Sequence, residues 1–298
     1  MASAKEVQNR IKSINDTMKI TNAMFMIASS KLRKAKESAA AVEPYFFAIG
    51  QAMASVEKSI PRDFQHIYLR KKIGDSQKTY GYLILTADKG LSGAYNHNIV
   101  KLVQKELDKH PEQNALYVAG RLGRHHYRKM GANVMHKFHY SVQEPSMDRA
   151  RAITARVIDD YKDGTVDELY IVYSRMVTAM SCEPEIKKLL PVDKEGFADV
   201  REKAGLDSRP IELEPTPESV LDSVVPNYVH GIIYGALVES YCSEQNSRMM
   251  AMQNATNNAK DMLHELSIEY NRIRQAAITQ EITEVIAGAK AQKLKQQE

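Results

Sequence analysis

The chain has 298 residues, 43% hydrophobic and 26% charged, enough to bury a sizeable core and too apolar for a disordered polymer. Lysine and arginine total 41 against 37 aspartate and glutamate, and the resulting formal charge of +4 calls for no nucleic-acid partner. Cys182 and Cys242 stand outside any CxxC or metal spacing, which suits a reducing compartment, and no apolar run reaches the roughly 18 residues that span a bilayer. The N-terminal residues lack both a secretory apolar region and an Arg-rich leader, so a soluble intracellular chain is expected.

From Val7, steps of four and three give Val7, Ile11, Ile14, Met18, Thr21, Phe25, Ala28, Leu32, Ala35 and Ala39, and the series continues to Ile60. Only Thr21 is polar in it. A 3.5-residue repeat held this long predicts a coiled-coil helix of about 80 Å. Ser3 and Glu6 have the spacing of a capping box, and Pro44 is expected to kink the helix without ending it.

The middle of the chain changes character. Tyr80 to Thr86 reads as a buried strand, followed by the loop Ala87-Asp88-Lys89-Gly90-Leu91-Ser92-Gly93 and a helix near Asn98 to Lys109. A strand over 115–119, a helix over 121–130, a third strand over 134–140, a helix over 146–161 and a strand over 167–173 follow. This βαβ alternation predicts a mostly parallel sheet. A Pro-bearing charged stretch from Pro191 to Pro217 leads back to helix.

From Thr216-Pro217, a cap and first-turn proline, a second seam runs through Leu221, Tyr228, Val238, Gln245, Met252, Thr256, Leu263, Tyr270 and Ile273 to Ala277. It predicts a rod of roughly 110 Å. Two such helices at the ends of one chain pair most simply antiparallel, and the longer one outruns its mate. After Ala277 the apolar stripe moves to Ile278, Ile282, Val285 and Ile286, so this tip is expected to face something other than the first helix. The alternative for that stretch is a frayed surface end. The boundaries are therefore 1–60 helix, 61–79 linker, 80–190 α/β domain, 191–217 linker and 218–298 helix.

Sites of chemistry are few. The Gly loop after the first strand reads as a tight structural turn, with a phosphate cradle as the alternative; neither GxxxxGK[ST] nor GxGxxG occurs. His125, His126, His136 and His139 read as a solvated group rather than a metal set. Gly231 and Gly235 form a GxxxG that predicts close approach of two soluble helices. Met249, Met250 and Met252 read as core.

Three segments together resemble the gamma subunit of F-type ATP synthases. The first holds Ile11-Lys12-Ser13-Ile14, Lys19-Ile20-Thr21 and Ala23-Met24-Phe25-Met26-Ile27-Ala28; the second is Thr86 to Gly93 with Asn96. The third is Arg248-Met249-Met250-Ala251-Met252, Ala255-Thr256-Asn257-Asn258-Ala259 and Tyr270-Asn271-Arg272-Ile273-Arg274-Gln275-Ala276-Ala277-Ile278-Thr279-Gln280-Glu281-Ile282. Ala87, Lys89 and Ser92 replace the family's usual Ser, Arg and Cys.

The resemblance implies an α/β chain in which a long antiparallel coiled coil of N- and C-terminal helices carries an inserted Rossmann-like α/β domain. It implies a non-catalytic rotor without cofactor or metal, turning inside three alpha and three beta subunits. The epsilon subunit and the c-subunit ring are the other expected partners. Membrane contact is expected only through that complex, at the cytoplasmic face of a bacterial cell membrane. It places Arg274, Gln275, Thr279 and Glu281 where the shaft meets the ring, with Met24 on the facing helix near the same level. Ile278, Ile282, Val285 and Ile286 become the tip in a sleeve. An autonomous coiled-coil scaffold and a nucleotide-dependent enzyme are the competing classes.

Overall fold

The computed structural model describes residues 3–61, 64–69, 78–178, 181–192 and 211–295, with side chains of the last helix described as far as Ala289. The elements are α1 (Ala4–Ser59), β1 (Tyr80–Leu85), α2 (Tyr95–Leu107), β2 (Asn114–Ala119), α3 (Arg121–Lys129), α4 (Met147–Lys162), β3 (Glu168–Met176), β4 (Cys182–Leu190) and α5 (Pro217–Lys295). No described helix is long and apolar enough to cross a membrane. The chain divides into two compact units, Ala28–Arg248 and Met1–Ile27 with Met249–Glu298.

In the larger unit the strands stand in the order β2-β1-β3-β4. β1 pairs in parallel with both β2 and β3, while β4 runs antiparallel along β3. β1 and β2 are buried at every position, as strands covered on both faces must be. One face of the sheet (Tyr82, Ile84, Leu116, Val118) packs against Tyr95, Ile99 and Val103 of α2 and Tyr127 of α3. The other face (Leu83, Leu85, Tyr117, Ile171) shares a core with Ile153 and Val157 of α4. That same core takes in Met53 and Val56 of α1 and Leu221, Val225, Val229 and Ile233 of α5. The inner parts of the long helices are thus a layer of the α/β unit. They run antiparallel there: Phe46 lies 5.5 Å from Tyr234 in ring centroids, and the Ser59 hydroxyl accepts the Ile211 N–H.

The capping box forms, with the Ser3 N–H donating to Glu6 at 2.9 Å and the Glu6 N–H to the Ser3 hydroxyl at 3.3 Å. Pro44 and Pro226 both sit inside helices that continue past them. Two expectations need correction. Only Val134 of the supposed strand over 134–140 bridges the sheet, to Leu116; Lys137 then turns the chain at φ 64° and Phe138 is buried as a plug. Conversely, β4 was not foreseen. Its charged, Pro184-bearing sequence has no apolar run because it is a half-buried edge strand, where charges and proline are tolerated. The GxxxG reading holds at one glycine: a Cβ on Gly231 would lie 2.4 Å from the Phe46 ring, whereas Gly235 faces open space. Parts of both expected linkers lie outside the described residues. Within 64–69, the Tyr161 hydroxyl donates to the Ile67 carbonyl at 2.7 Å, and Val192 N–H to the Tyr68 carbonyl at 2.8 Å.

The turn from β2 into α3 depends on Gly120, whose φ is 94° and whose Cβ would stand 2.0 Å from the Thr86 carbonyl oxygen. Gly120→Ala is expected to destabilise the chain by ~3 kcal/mol or more, since strain adds to a backbone clash. Gly131→Ala, at φ 74° in open space, should cost only about 1 kcal/mol. Urea denaturation of the two variants checks the contrast.

Candidate functional site: the helical tip and the polar collar

In the smaller unit α1 and α5 lay their seams together. Val7, Thr21, Met252, Thr256 and Ala259 are buried there, and the Thr21 and Thr256 hydroxyls share a hydrogen bond of 2.9 Å. This pair fixes the register. Seventeen residues before Thr21 stands Ala4, where α1 begins; seventeen after Thr256 stands Ile273, the last partly buried residue of α5. From Arg274 to Ala289 every residue of α5 is exposed. The cover stops at the level where α1 begins.

The exposed tip carries Ile278, Ile282, Val285 and Ile286 at 46%, 55%, 72% and 53% exposure. At 3.6 residues per turn these four span an arc of about 100°. Arg274, Gln275, Thr279 and Glu281 fall inside that arc or within about 40° of its edges. All four are exposed, and the Thr279 hydroxyl donates back to the Gln275 carbonyl at 2.9 Å. An apolar centre with a polar rim is the composition of a protein contact surface.

Met24 is not part of that constellation. It lies three residues beyond Thr21 and therefore level with Gln253, 21 residues of α5 below Arg274, or about 32 Å along the helix. The antiparallel register separates what the family resemblance had implied to lie at one height. Beside half-buried Met24, Ile20, Met26 and Ile27 are exposed at 62%, 64% and 56%. These three were overlooked because they lie outside the seam, yet apolar residues off the seam of an otherwise amphipathic helix were the available signal.

The Gly loop has a structural occupation. Thr86 hydroxyl donates to the Ala119 carbonyl at 2.9 Å and accepts the Gly123 N–H at 3.1 Å. Asn96 accepts the Ala87 N–H at 2.9 Å, and Asp88 accepts the N–H groups of Arg121 at 2.8 Å and Val142 at 3.2 Å. The carbonyls of Lys89 and Gly90 accept one guanidinium nitrogen of Arg248, at 3.4 and 3.1 Å. The same nitrogen donates to Glu244 at 2.6 Å, and its twin to Gln245 at 3.1 Å.

Arg248 belongs to a run of buried polar residues on α5: Ser240, Ser243, Glu244, Gln245 and Asn246 are buried beside it. Ser240 meets the Tyr95 hydroxyl at 2.6 Å, and Ser243 donates to the Ser174 carbonyl at 2.9 Å. The Asn246 amide points to the Cys182 sulfur at 3.7 Å. Burial pushes the Glu244 carboxyl above its usual range, and the Arg248 guanidinium pulls it back part of the way. We call this run the collar. Sequence reasoning missed it because its partners are up to 159 positions away.

One hollow of the α/β unit is lined by side chains paired within the chain. A 360 Å³ cavity at the N-terminal ends of the strands stacks Tyr80 on His110 and Tyr82 on Tyr170, and pairs Glu168 with Lys78 and Lys188. His125, His136 and His139 are exposed and His126 is half-buried. Among the described residues no three His, Cys, Asp or Glu side chains gather as a metal site.

An α/β unit with long helices in its core, and a helical pair whose longer member carries an uncovered apolar end, are features of an interaction subunit. The family model described as ATP synthase matches residues 3–292. The ATP synthase gamma chain of Acetivibrio thermocellus is 42% identical over 301 residues, covering 98% of this chain and 100% of the relative. A chain from the central stalk and c-ring structure of Tetrahymena thermophila mitochondrial ATP synthase is 25% identical, with a TM-score of 0.58, over 79% of this chain and 99% of its own. A chain of the Euglena gracilis mitochondrial ATP synthase, 18% identical, shares the fold at a TM-score of 0.68 over 97% and 94% of the two chains. The chain belongs to the ATP synthase gamma-chain family.

If the tip is uncovered by design, its apolar side chains contribute little to the chain's own fold. Ile282→Ser and Val285→Ser are each expected to change the unfolding free energy of the isolated chain by less than about 0.5 kcal/mol. Val7→Ser, in the covered seam, should cost about 2–3 kcal/mol. Urea titration followed by circular dichroism distinguishes the two.

Proposed function

We propose that this chain is the central rotor shaft of an F-type ATP synthase, coupling ion flow through the membrane sector to ATP synthesis or hydrolysis on the alpha/beta ring. It has no active site of its own. Its partners are three alpha and three beta subunits around the shaft, with the epsilon subunit and the c ring near the α/β unit. It sits peripherally at the cytoplasmic face of the membrane as part of that complex.

The observation that carries the reading, beside family membership, is the exposed apolar stripe with its polar rim on α5. Such a surface in water is a liability unless a partner covers it. Ile278, Ile282, Val285 and Ile286 form the bearing, where non-directional contacts let the tip turn. Arg274, Gln275, Thr279 and Glu281 supply directional contacts to the ring at that height. Met24, with Ile20, Met26 and Ile27 around it, makes a second contact level lower on the shaft. An asymmetric shaft touches three equivalent sites differently, so each orientation favours a different nucleotide affinity at each site.

The test mixes purified alpha and beta subunits with the intact chain or with a chain lacking residues 275–298. Native mass should report three alpha, three beta and one shaft. Truncation should keep the complex and lower ATP hydrolysis by about fivefold or more, roughly 1 kcal/mol of transition-state stabilisation. Failure of the folded intact chain to join the ring would overturn the rotor reading in favour of an autonomous scaffold.

A further inference from the structure

Away from the collar the described buried polar residues of α5 are the isolated His230 and Thr256, yet within nine residues, Ser240 to Arg248, the helix turns a run of polar side chains into a buried interior. Burying polar groups costs free energy unless each is matched. An apolar seam would have held the same helices together at less risk, so the polarity calls for a reason beyond cohesion. The partners share a location. Ser174 ends β3, Cys182 begins β4, Lys89 and Gly90 form the loop after β1, and Tyr95 opens α2. All are at one end of the sheet, and they reach α5 from several sides.

We infer that the collar is the torsional lock that makes α5 and the α/β unit turn as one body. This rests on the rotor reading and adds to it where the torque enters the shaft helix. Apolar contacts resist separation but resist twisting weakly, since one methyl can exchange for another. Hydrogen bonds are directional. A side-chain atom about 5 Å from the helix axis moves nearly 2 Å when the helix twists by about 20°. That displacement breaks a bond whose donor and acceptor stand at about 2.9 Å. The collar therefore holds angle where the seam holds only distance.

Arg248 is suited to the central role. Its planar fork meets Glu244 and Gln245 on its own helix while reaching the Lys89 and Gly90 carbonyls on the loop, which one ammonium could not do with the same geometry. Glu244, at 0% exposure, neutralises the buried guanidinium and aims it. Asp88, Asn96 and Thr86 in turn stiffen the loop that receives it. These are positioning residues.

The test measures torsional stiffness in the assembled complex. The shaft tip is held in an alpha/beta ring stalled with a non-hydrolysable nucleotide, and a rod is attached to the α/β unit through Glu112→Cys at an exposed position. Chains without that cysteine control for labelling of Cys182. Arg248→Met, which keeps the stem and removes the fork, should broaden the angular variance of the rod by about twofold or more, as expected when directional bonds are lost. Arg248→Lys should fall between. Tyr95→Phe combined with Ser243→Ala removes two hydroxyls at nearly constant volume and should broaden it too, and it decides the question should Arg248→Met misfold. Variance unchanged in a correctly assembled complex overturns the lock while leaving the rotor reading intact. Failure of the unsubstituted chain to assemble would instead remove the rotor reading itself.

Discussion

One buried hydroxyl pair sets the geometry on which the tip depends. Thr21 is the only polar member of the first seam, and its hydrogen bond to Thr256 gives the two helices a register that apolar residues alone would specify weakly. A slip by one heptad would move α1 about 10 Å along α5. It would either cover two turns of the tip or expose two more turns of seam, and it would break the hydroxyl pair. The length of uncovered helix is thus a consequence of register, and register rests on a contact that contributes little cohesion.

The two long helices then divide their surfaces by task. Around the sheet they are core, with Met53, Val56, Val225, Val229 and Ile233 fully or almost fully buried. At the collar α5 is buried but polar. In the smaller unit it is half-covered along an ordinary seam, and past Ile273 it is uncovered. A single helix passing through four environments has no consistent amphipathic face, so an average over its length conceals each of them. Cohesion, angular definition and outward contact are separated along the chain instead of being spread over every turn.

Much of this was legible because it is local or periodic. The capping box needs only Ser3 and Glu6, and the buried strands only a short apolar run. The tip stripe showed as a change of phase. What stayed hidden is non-local. β4 looks like a surface segment because its charged residues are matched by partners on β3, Glu185 by Arg175 and Lys188 by Glu168. The height of Met24 needed the register, which no single helix contains. Gln245 was counted as an ordinary member of the seam although it is a buried acceptor for Arg248, and Arg248 was legible as part of a family segment without a role. A polar residue on a seam has two opposite meanings, and only its partner tells them apart.

The tip's one-sidedness bears on how a shaft can address a symmetric ring. Its apolar stripe and polar rim together occupy an arc of roughly 160°, with Ala276, Gln280, Thr283, Glu284, Ala287 and the backbone of Gly288 on the other side. In a ring of three equivalent sites spaced by about 120°, an arc of that width faces one or two sites and never all three. The remaining site meets small or polar side chains and the single carboxylate of Glu284, which accepts a hydrogen bond from Gln280. Rotation then changes which sites are contacted without changing the contacts themselves, and only such differences in contact can shift the sites' affinities. A tip apolar all round would turn as freely and carry no orientation, and a tip ringed by charges would be bound too directionally to leave any site.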